Sequence, residues 1–290
     1  MRLGVLAPEE SWHFRDLCRA GQASGHEFVS VAYSRIVADL PGRSVRSGET
    51  NLLELDALLT RAMPAGSLEQ VVFRMDALYV AEQEGLRCVN SPKAVEASVD
   101  KYLSLARISR AGLPIPDTLV CENHRDVGEA FEQLGGDVIL KPIFGSEGRG
   151  LVRTQERELA ERYYRFIEEI GGILYLQRFI EMGGEDTRVL VIGENCFAMR
   201  RRGTRDWRSN VSQGGKGEPV ELPSELKEIA MGASRAVDAE FAGVDIGRDQ
   251  QGNVFVLEVN AAPGWRGISS VLEIDIAQSL LSYIETALSR

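Results

Sequence analysis

Val244-Asp245-Ile246 and Leu257-Glu258-Val259-Asn260 flank the turn-rich stretch Asp249-Gln250-Gln251-Gly252-Asn253. Two apolar runs around such a stretch predict a β-hairpin. Pairing centred near Gly252 sets Asp245 roughly opposite Glu258, and Glu258 shares a face with Asn260 two residues on. Two carboxylates and an amide oxygen then aim at one point, an all-oxygen set suited to Mg²⁺ or Mn²⁺ carrying polyphosphate. The same residues also suit a hairpin with an ordinary solvated polar edge, and the hairpin alone does not choose between the two.

The rest of the chain narrows the choice. It has 290 residues, 44% of them hydrophobic, enough for a sizeable core in one large domain or two to three small ones. A net charge of −10 and a pI near 5.0 argue against an extended footprint for nucleic acid. Locally the balance reverses. Arg200, Arg201, Arg202, Arg205, Arg208 and Lys216 are accompanied by one acid, Asp206, which reads either as an anion pocket or as a solvated loop. Cys18, Cys88, Cys121 and Cys196 are scattered, and His13, His26 and His124 do not complete metal spacing with them. Zinc and a disulfide framework are disfavoured. No signal peptide or membrane-length apolar run is visible, so a cytoplasmic protein without a membrane partner is expected.

Strand alternates with helix over the first 90 residues. Strands are expected at 2–7, 26–31, 71–74 and 87–90, with helices after Trp12 and around 77–84. This predicts a small parallel α/β domain over 1–90. No G-x-G-x-x-G follows the first strand, so a Rossmann dehydrogenase is unsupported. From 91 to 290 the pattern is α+β with antiparallel hairpins. Helices are expected at 93–110, 125–134, 155–170, 224–239 and 273–288, and strands at 118–121, 137–141, 173–177, 188–192 and 196–202, with a polar segment over 203–221.

Lys141 closes the apolar Val138-Ile139-Leu140 and precedes a loop whose glycines, Gly145, Gly148 and Gly150, fall as G-x-x-G-x-G. Glycines let backbone N–H groups approach phosphate, and Ser146 adds a hydroxyl. A flexible hairpin tip fits the loop equally well. Lys101 follows Asp100 on a helix, where a lone lysine is ordinarily a solvated charge. Gln177-Arg178-Phe179-Ile180 ends an apolar strand whose edge suits either a nucleobase or a core. Asp186 begins the next strand, and alternation in Arg200-Arg201-Arg202 turns at least one arginine inward.

In this order the parts resemble the ATP-grasp superfamily, specifically the RimK-like carboxylate–amine ligases. The resemblance rests on Asp100-Lys101, Gly112-Leu113-Pro114-Ile115-Pro116, Lys141-Pro142 with Gly145–Gly150, Gln177-Arg178-Phe179-Ile180, Asp186-Thr187-Arg188, Arg208-Ser209-Asn210, Gly243-Val244-Asp245-Ile246 and Glu258-Val259-Asn260 ahead of Pro263-Gly264. It covers residues 90–290. It implies an ATP-grasp fold over 91–290, with a nucleotide lid lobe over about 115–180 and a catalytic lobe over about 181–290. Lys101, Lys141, Ser146, Gly148, Gln177, Arg178, Phe179, Ile180, Asp186, Arg208, Ser209 and Asn210 are implied to bind ATP, and Asp245, Glu258 and Asn260 to hold Mg²⁺ or Mn²⁺, two ions in all. Lys141 and Arg201 would act in catalysis, with Arg201, Arg208, Asn210 and Gly264 on the substrate.

The implied reaction is ATP-dependent amide formation between a carboxylate and an amino acid, L-glutamate first, through an acyl phosphate. The implied partners are small molecules, and a dimer or tetramer is allowed. Arg178 stands where an acid is more usual, and 203–207 is shorter than in RimK. The Gly145–Gly150 lid and the short 203–207 segment resemble ligases acting on a tetrahydromethanopterin-type acceptor, with a ribosomal-protein C-terminus or a LysX-like amino-group carrier protein as rivals. A nucleotide-binding module without ligase activity is the alternative from another class.

Overall fold

Hydrophobic patterning and turn chemistry divide the chain into short elements stacked on four sheets. The computed structural model describes residues 1–144, 150–203 and 215–289. The first third runs β1 (Arg2–Val5), α1 (Trp12–Gly21), β2 (Glu27–Ser30), β3 (Ile36–Asp39), β4 (Ser44–Ser47), β5 (Thr50–Asn51), β6 (Ala57–Leu59), α2 (Leu68–Gln83) and β7 (Cys88–Val89). Strands β2-β1-β6-β7 form a parallel sheet in that order. The other three strands make a small antiparallel sheet, β3-β4-β5, which the sequence does not foreshadow.

The strand expected at Val71–Arg74 is instead part of helix α2. Ser67 caps that helix and Gln70 reaches back to complete a capping box, so local nucleation overrides the β-branched pair Val71-Val72. Ala77, Leu78 and Ala81 are buried, while Leu68, Val72, Phe73, Tyr79 and Val80 stay exposed. Apolar residues on both faces blur the helical period and explain the misreading. The third parallel strand is β6. It is three residues long, too short to show any period.

The helix expected over 93–110 is two helices, α3 (Pro92–Val99) and α4 (Lys101–Arg110). Asp100 separates them in an extended conformation, and its carboxylate accepts from the N–H groups of Tyr102 and Leu103. Lys101 therefore occupies the first turn of a new helix.

Next come β8 (Thr118–Cys121), α5 (Val127–Gln133), β9 (Val138–Pro142), β10 (Val152–Thr154), α6 (Arg157–Glu169) and β11 (Leu174–Arg178). Their strands pair antiparallel in the order β10-β9-β11-β8, and Val127, Phe131 and Tyr164 from the two helices pack on Leu140, Leu174 and Leu176.

The last third holds β12 (Glu185–Ile192), β13 (Asn195–Arg202), β14 (Lys216–Pro219), α7 (Ser224–Ala236), β15 (Phe241–Arg248), β16 (Val254–Asn260), α8 (Arg266–Leu272) and α9 (Ile276–Leu288). The expected hairpin is β15-β16, with Asp245 opposite Glu258 and a register shift after Asp245. The five strands form one antiparallel sheet, β14-β13-β12-β15-β16. Strand β14 lies inside the segment expected to be merely polar, and α8 was not anticipated.

Alternation gives this sheet two unlike faces. Val189, Val191, Ala198, Val244 and Val259 join α3, α4 and α7 in one core. The opposite face is divided. Leu190, Ile192, Met199 and Phe241 pack with Leu3, Val5, Leu17 and Trp265, while Asp186, Arg188, Arg201, Asp245, Glu258 and Asn260 fill the rest. Among the described residues no helix is long and apolar enough to cross a membrane.

Asn90 joins the parallel sheet to the five-stranded one. It is fully buried; its Nδ2 donates to the carbonyls of Phe241 and Ala261 at 2.6 and 2.5 Å, and its Oδ1 accepts from the N–H groups of Glu240 and Phe241. Asn90→Leu keeps the branched heavy-atom shape but strands four backbone partners, each otherwise costly to leave unmade. It should lower unfolding free energy by at least about 3 kcal/mol in denaturant titration.

Candidate functional site

Four charged side chains lie side by side on the divided face, Asp186, Arg201 and Asp245 buried and Arg188 half-buried. Strand register sets Asp186 opposite Arg201 and Arg188 opposite Asp245. The Arg201 Nε and Nη2 donate to the Asp186 carboxylate at 2.7 and 2.6 Å, and Nη2 lies 2.8 Å from Asp245 Oδ2. Arg188 grips Asp245 from the other side through Nε and through Nη2, the latter at 2.8 Å. Arg201, Asp186 and Asp245 are 4%, 7% and 4% exposed, so an uncompensated charge here would be prohibitive. Two acids and two bases give local neutrality.

Burial works against the Arg201 charge, yet Asp245 and Asp186 raise its pKa above the ordinary arginine value. Burial likewise opposes ionisation of Asp245, but Arg188 and Arg201 hold its carboxyl below the usual range.

Two lysines converge nearby. Lys141, at the end of β9, donates to Gln177 Oε1 at 2.6 Å and lies 5.7 Å from the centre of the Tyr175 ring. Gln177 is fixed in turn by donation to Thr118 Oγ1 at 2.9 Å. Lys101 Nζ is 3.5 Å from the carbonyl of Ile143, just before the glycine loop. Burial, with Lys101 beside it, pulls Lys141 down to about 8 against the opposing pull of Glu258. Lys101 is lowered by burial too, with Glu258 and Asp100 opposing. Two partly desolvated ammonium groups near one carboxylate form a site in which a polyphosphate would relieve their mutual repulsion.

The expected metal residues come together in part. Asp245 and Glu258 face each other across the hairpin, and Asn260 follows on the same face with its Oδ1 accepting from the N–H of Ala262 at 2.8 Å. Asp245 is shared with the two arginines. Among the described residues no group of three or more His, Cys, Asp or Glu side chains gathers elsewhere to hold a metal. Two carboxylates and an amide oxygen form a hard-oxygen set that fits Mg²⁺.

Arg178 and Phe179 end β11. The N–H of Arg178 donates to the carbonyl of Asp117 and that of Phe179 to Asp137, both at 2.9 Å. The Arg178 guanidinium pairs with Asp117 Oδ2 at 3.1 Å. The Phe179 ring lies 3.4 Å beneath Arg153, itself held by Asp137, and Ile180 is buried. Asp186, expected to bind ATP, has both oxygens engaged by Arg201. Arg200 and Arg202 face outward toward Glu185, so the inward-turned arginine of the triplet is Arg201. Ser146, Gly148, Arg208, Ser209 and Asn210 lie outside the described residues.

Three residues escaped the sequence reading. Arg188 was legible in principle, since alternation from Asp186 puts it on the same face. Arg61 and His13 were not, because only the tertiary fold brings them to Gly264. Arg61 donates to the carbonyl of Pro263 at 2.7 Å, and a side chain added at Gly264 would meet the His13 ring.

A profile of the RimK-like ATP-grasp domain matches residues 98–284. The tetrahydromethanopterin:alpha-L-glutamate ligase of Methanosarcina acetivorans is 31% identical, with 99% of each chain covered. The protein of the same name from Methanococcus maripaludis is 29% identical over 97% of each. Among solved structures, a RimK domain ATP-grasp protein from Sphaerobacter thermophilus aligns with TM-score 0.75 at 21% identity, covering 98% of this chain and 99% of that one. The ATP-grasp ligase PsnB, complexed with a minimal precursor, Mg and ADP, aligns with TM-score 0.76 at 23% identity, covering 100% of this chain and 98% of that one.

Burial, with Arg61 and Arg266 adding to it against Asp16, lowers His13 to about 4. Above its ordinary value of 6.5 both folded and unfolded chains carry neutral imidazole. Between 6.5 and about 4 only the unfolded chain takes the proton, so stability falls with pH across that window. His13→Gln should flatten the dependence of melting temperature on pH there; an unchanged slope would locate the cause in other groups.

Proposed function

Because the chain belongs to the RimK-like ATP-grasp family and is therefore an ATP-dependent ligase, we propose that it joins the amino group of L-glutamate to the carboxylate of a small anionic acceptor. The observation that carries this reading is the meeting of Lys101, Lys141 and Glu258 beside the Asp186-Arg201-Asp245-Arg188 group. A tetrahydromethanopterin-type coenzyme is the proposed acceptor, supported by two relatives matched over nearly their whole length. The proposed division lies near residue 90, with the ATP-grasp part following it.

ATP transfers its γ-phosphoryl group to an acceptor carboxylate oxygen. The amine then attacks the acyl carbon, phosphate leaves with the C–O electron pair, and the amide remains. No protein nucleophile is needed. Both reacting partners are anions, so the protein's task is electrostatic and positional. Lys101 and Lys141 would receive the phosphates, and burial lowers the pKa of both. Asp245, Glu258 and Asn260 are the proposed ligands of Mg²⁺ or Mn²⁺, one ion or two. Such an ion, when bound, shields phosphate charge and polarises the phosphoryl oxygens.

Arg201 would face the acyl phosphate, its fork oriented by Asp186. Arg178, Phe179 and Ile180 would line the adenine. With the N–H groups of Arg178 and Phe179 already donated, adenine recognition falls to carbonyl oxygens and ring packing. Asp186 is proposed as a positioning residue for Arg201 in place of a ribose contact.

Incubation with ATP, Mg²⁺, L-glutamate and a panel of anionic acceptors should yield ADP and a product heavier by one glutamyl residue in mass spectrometry. Nucleotide binding without acceptor-dependent ADP under any condition would favour a non-ligating module. Lys141→Ala and Glu258→Gln should each reduce turnover below detection, Glu258→Gln retaining measurable ADP affinity. Arg201→Ala should lower kcat by about 100-fold or more while moving the KM for ATP little. An effect confined to that KM would remove Arg201 from the chemical step.

A further inference from the structure

The parallel sheet has a topological switch at β1. The chain leaves β1 toward β2 on one side, whereas β6 pairs on the other side of β1 and leads away to β7. Loops leaving the carboxyl ends of β1 and β6 therefore part in opposite directions, and in open parallel sheets such a crevice is where ligands bind. Two polar side chains guard it. His13 opens α1 after the β1 turn, and Arg61 follows β6 by two residues. The segment after Asn260 closes over both: Arg61 Nη1 donates to the Pro263 carbonyl, and a Cβ added at Gly264 would lie 3.4 Å from His13 Nε2.

Neither group is satisfied by this packing. Arg61 is 7% exposed and its guanidinium stacks 4.9 Å from the centre of the Trp265 ring. Of five N–H donors, one hydrogen bond is made to a neutral carbonyl, and among the described residues no carboxylate pairs with it. The nearby carboxylate, Asp16, is held by Arg19 and by the indole N–H of Trp265. A desolvated guanidinium ordinarily has an anionic partner. Burial pulls it down only to about 10, so it remains charged at neutral pH.

His13 Nε2 is buried with no hydrogen-bond partner among the described residues. Arg266, exposed and 5.7 Å from the centre of the Trp12 ring, supplies a second cation at the rim. Trp12 and Arg266 also line an open hollow of about 430 Å³ beside the crevice, shared with Asp16, Arg19, Glu273 and Asp275 and not with Arg61 or His13.

We propose that the crevice between the ends of β1 and β6 and the Pro263–Arg266 segment binds the incoming amino acid, with Arg61 clamping its side-chain carboxylate and His13 Nε2 completing the polar contact. The site deepens the ligase reading and rests on it. A dicarboxylic amino acid suits two cations, one buried and one at the rim. Gly264 is exposed and lies four residues beyond Asn260, on the segment that leaves the proposed metal residues. A buried guanidinium also discriminates against an amide side chain, since glutamine leaves the charge unpaired.

The test is steady-state kinetics of the full chain with an acceptor that supports turnover. Glutamate, ATP and acceptor are each varied in Arg61→Ala, Arg61→Lys, His13→Gln and Arg266→Ala. Arg61→Ala should raise the KM for glutamate on the order of 30-fold and erase the preference for glutamate over glutamine. Added guanidinium ion should restore part of it, and the KM values for ATP and acceptor should stay within about twofold. His13→Gln and Arg266→Ala should raise the glutamate KM several-fold, and they carry the test by the same criterion if Arg61→Ala does not fold. An unchanged glutamate KM and an unchanged glutamate-over-glutamine preference in the folded variants would overturn the site. A raised acceptor KM in its place would also overturn it, by assigning the carboxylate to the acceptor. If the wild-type chain ligates no amino acid to any acceptor, the ligase reading itself falls, an outcome distinct from a wild type that ligates glutamate while its variants are unaffected.

Discussion

Two arginines and two aspartates held together on one face of a β-sheet, three of them buried, must neutralise one another, and the candidate site is arranged around that requirement. Asp245 is gripped by Arg188 and Arg201, and Asp186 holds the far side of Arg201. Removing any one member leaves a desolvated charge, a loss of about 3–5 kcal/mol in comparable settings. The group is therefore rigid before any substrate arrives. That rigidity matters because stabilising charge that develops during phosphoryl transfer depends on dipoles and charges already in place.

Around this neutral group lies an electrostatic imbalance. Lys101 and Lys141 are both partly desolvated, and Glu258 is the acid that acts on both. Lys101 also stands in the first turn of α4, where the helix macrodipole adds positive potential to its own charge. Neutral scaffold and partly desolvated cations thus sit side by side, one fixing geometry and the other attracting the anion. The break at Asp100 makes this possible, because a continuous helix through 93–110 would offer no N-terminus at that point.

How much was legible in the sequence follows from how local each signal is. The β15-β16 hairpin, with Asp245 opposite Glu258, could be read from turn residues between two apolar runs, because register there is set by a few neighbouring positions. Lys141 at a strand end followed from the apolar run before it, whereas alternation required at least one of Arg200, Arg201 and Arg202 to turn inward without saying which. Helix α2 was misread because its apolar residues occupy both faces, and its defining signal was the Ser67–Gln70 cap. Strands β3 to β6 are two to four residues long and carry no periodicity. Arg61, His13 and Asn90 owe their importance to contacts more than 150 residues away in the chain, which no spacing rule reports.

The divided face of the five-stranded sheet has a consequence for how the chain finds its pairing. A strand displaced by one residue exchanges its two faces completely. For β12, β13 or β15 that would drive Arg188, Arg201 or Asp245 into the layer formed by Val189, Ala198 and Val244, while exposing those valines among charges. Such a slip forfeits apolar burial and ion pairing at once. The residues arranged for phosphoryl chemistry therefore also reject the nearest wrong alignments, so that selection for the reaction and selection for a unique register act on the same side chains.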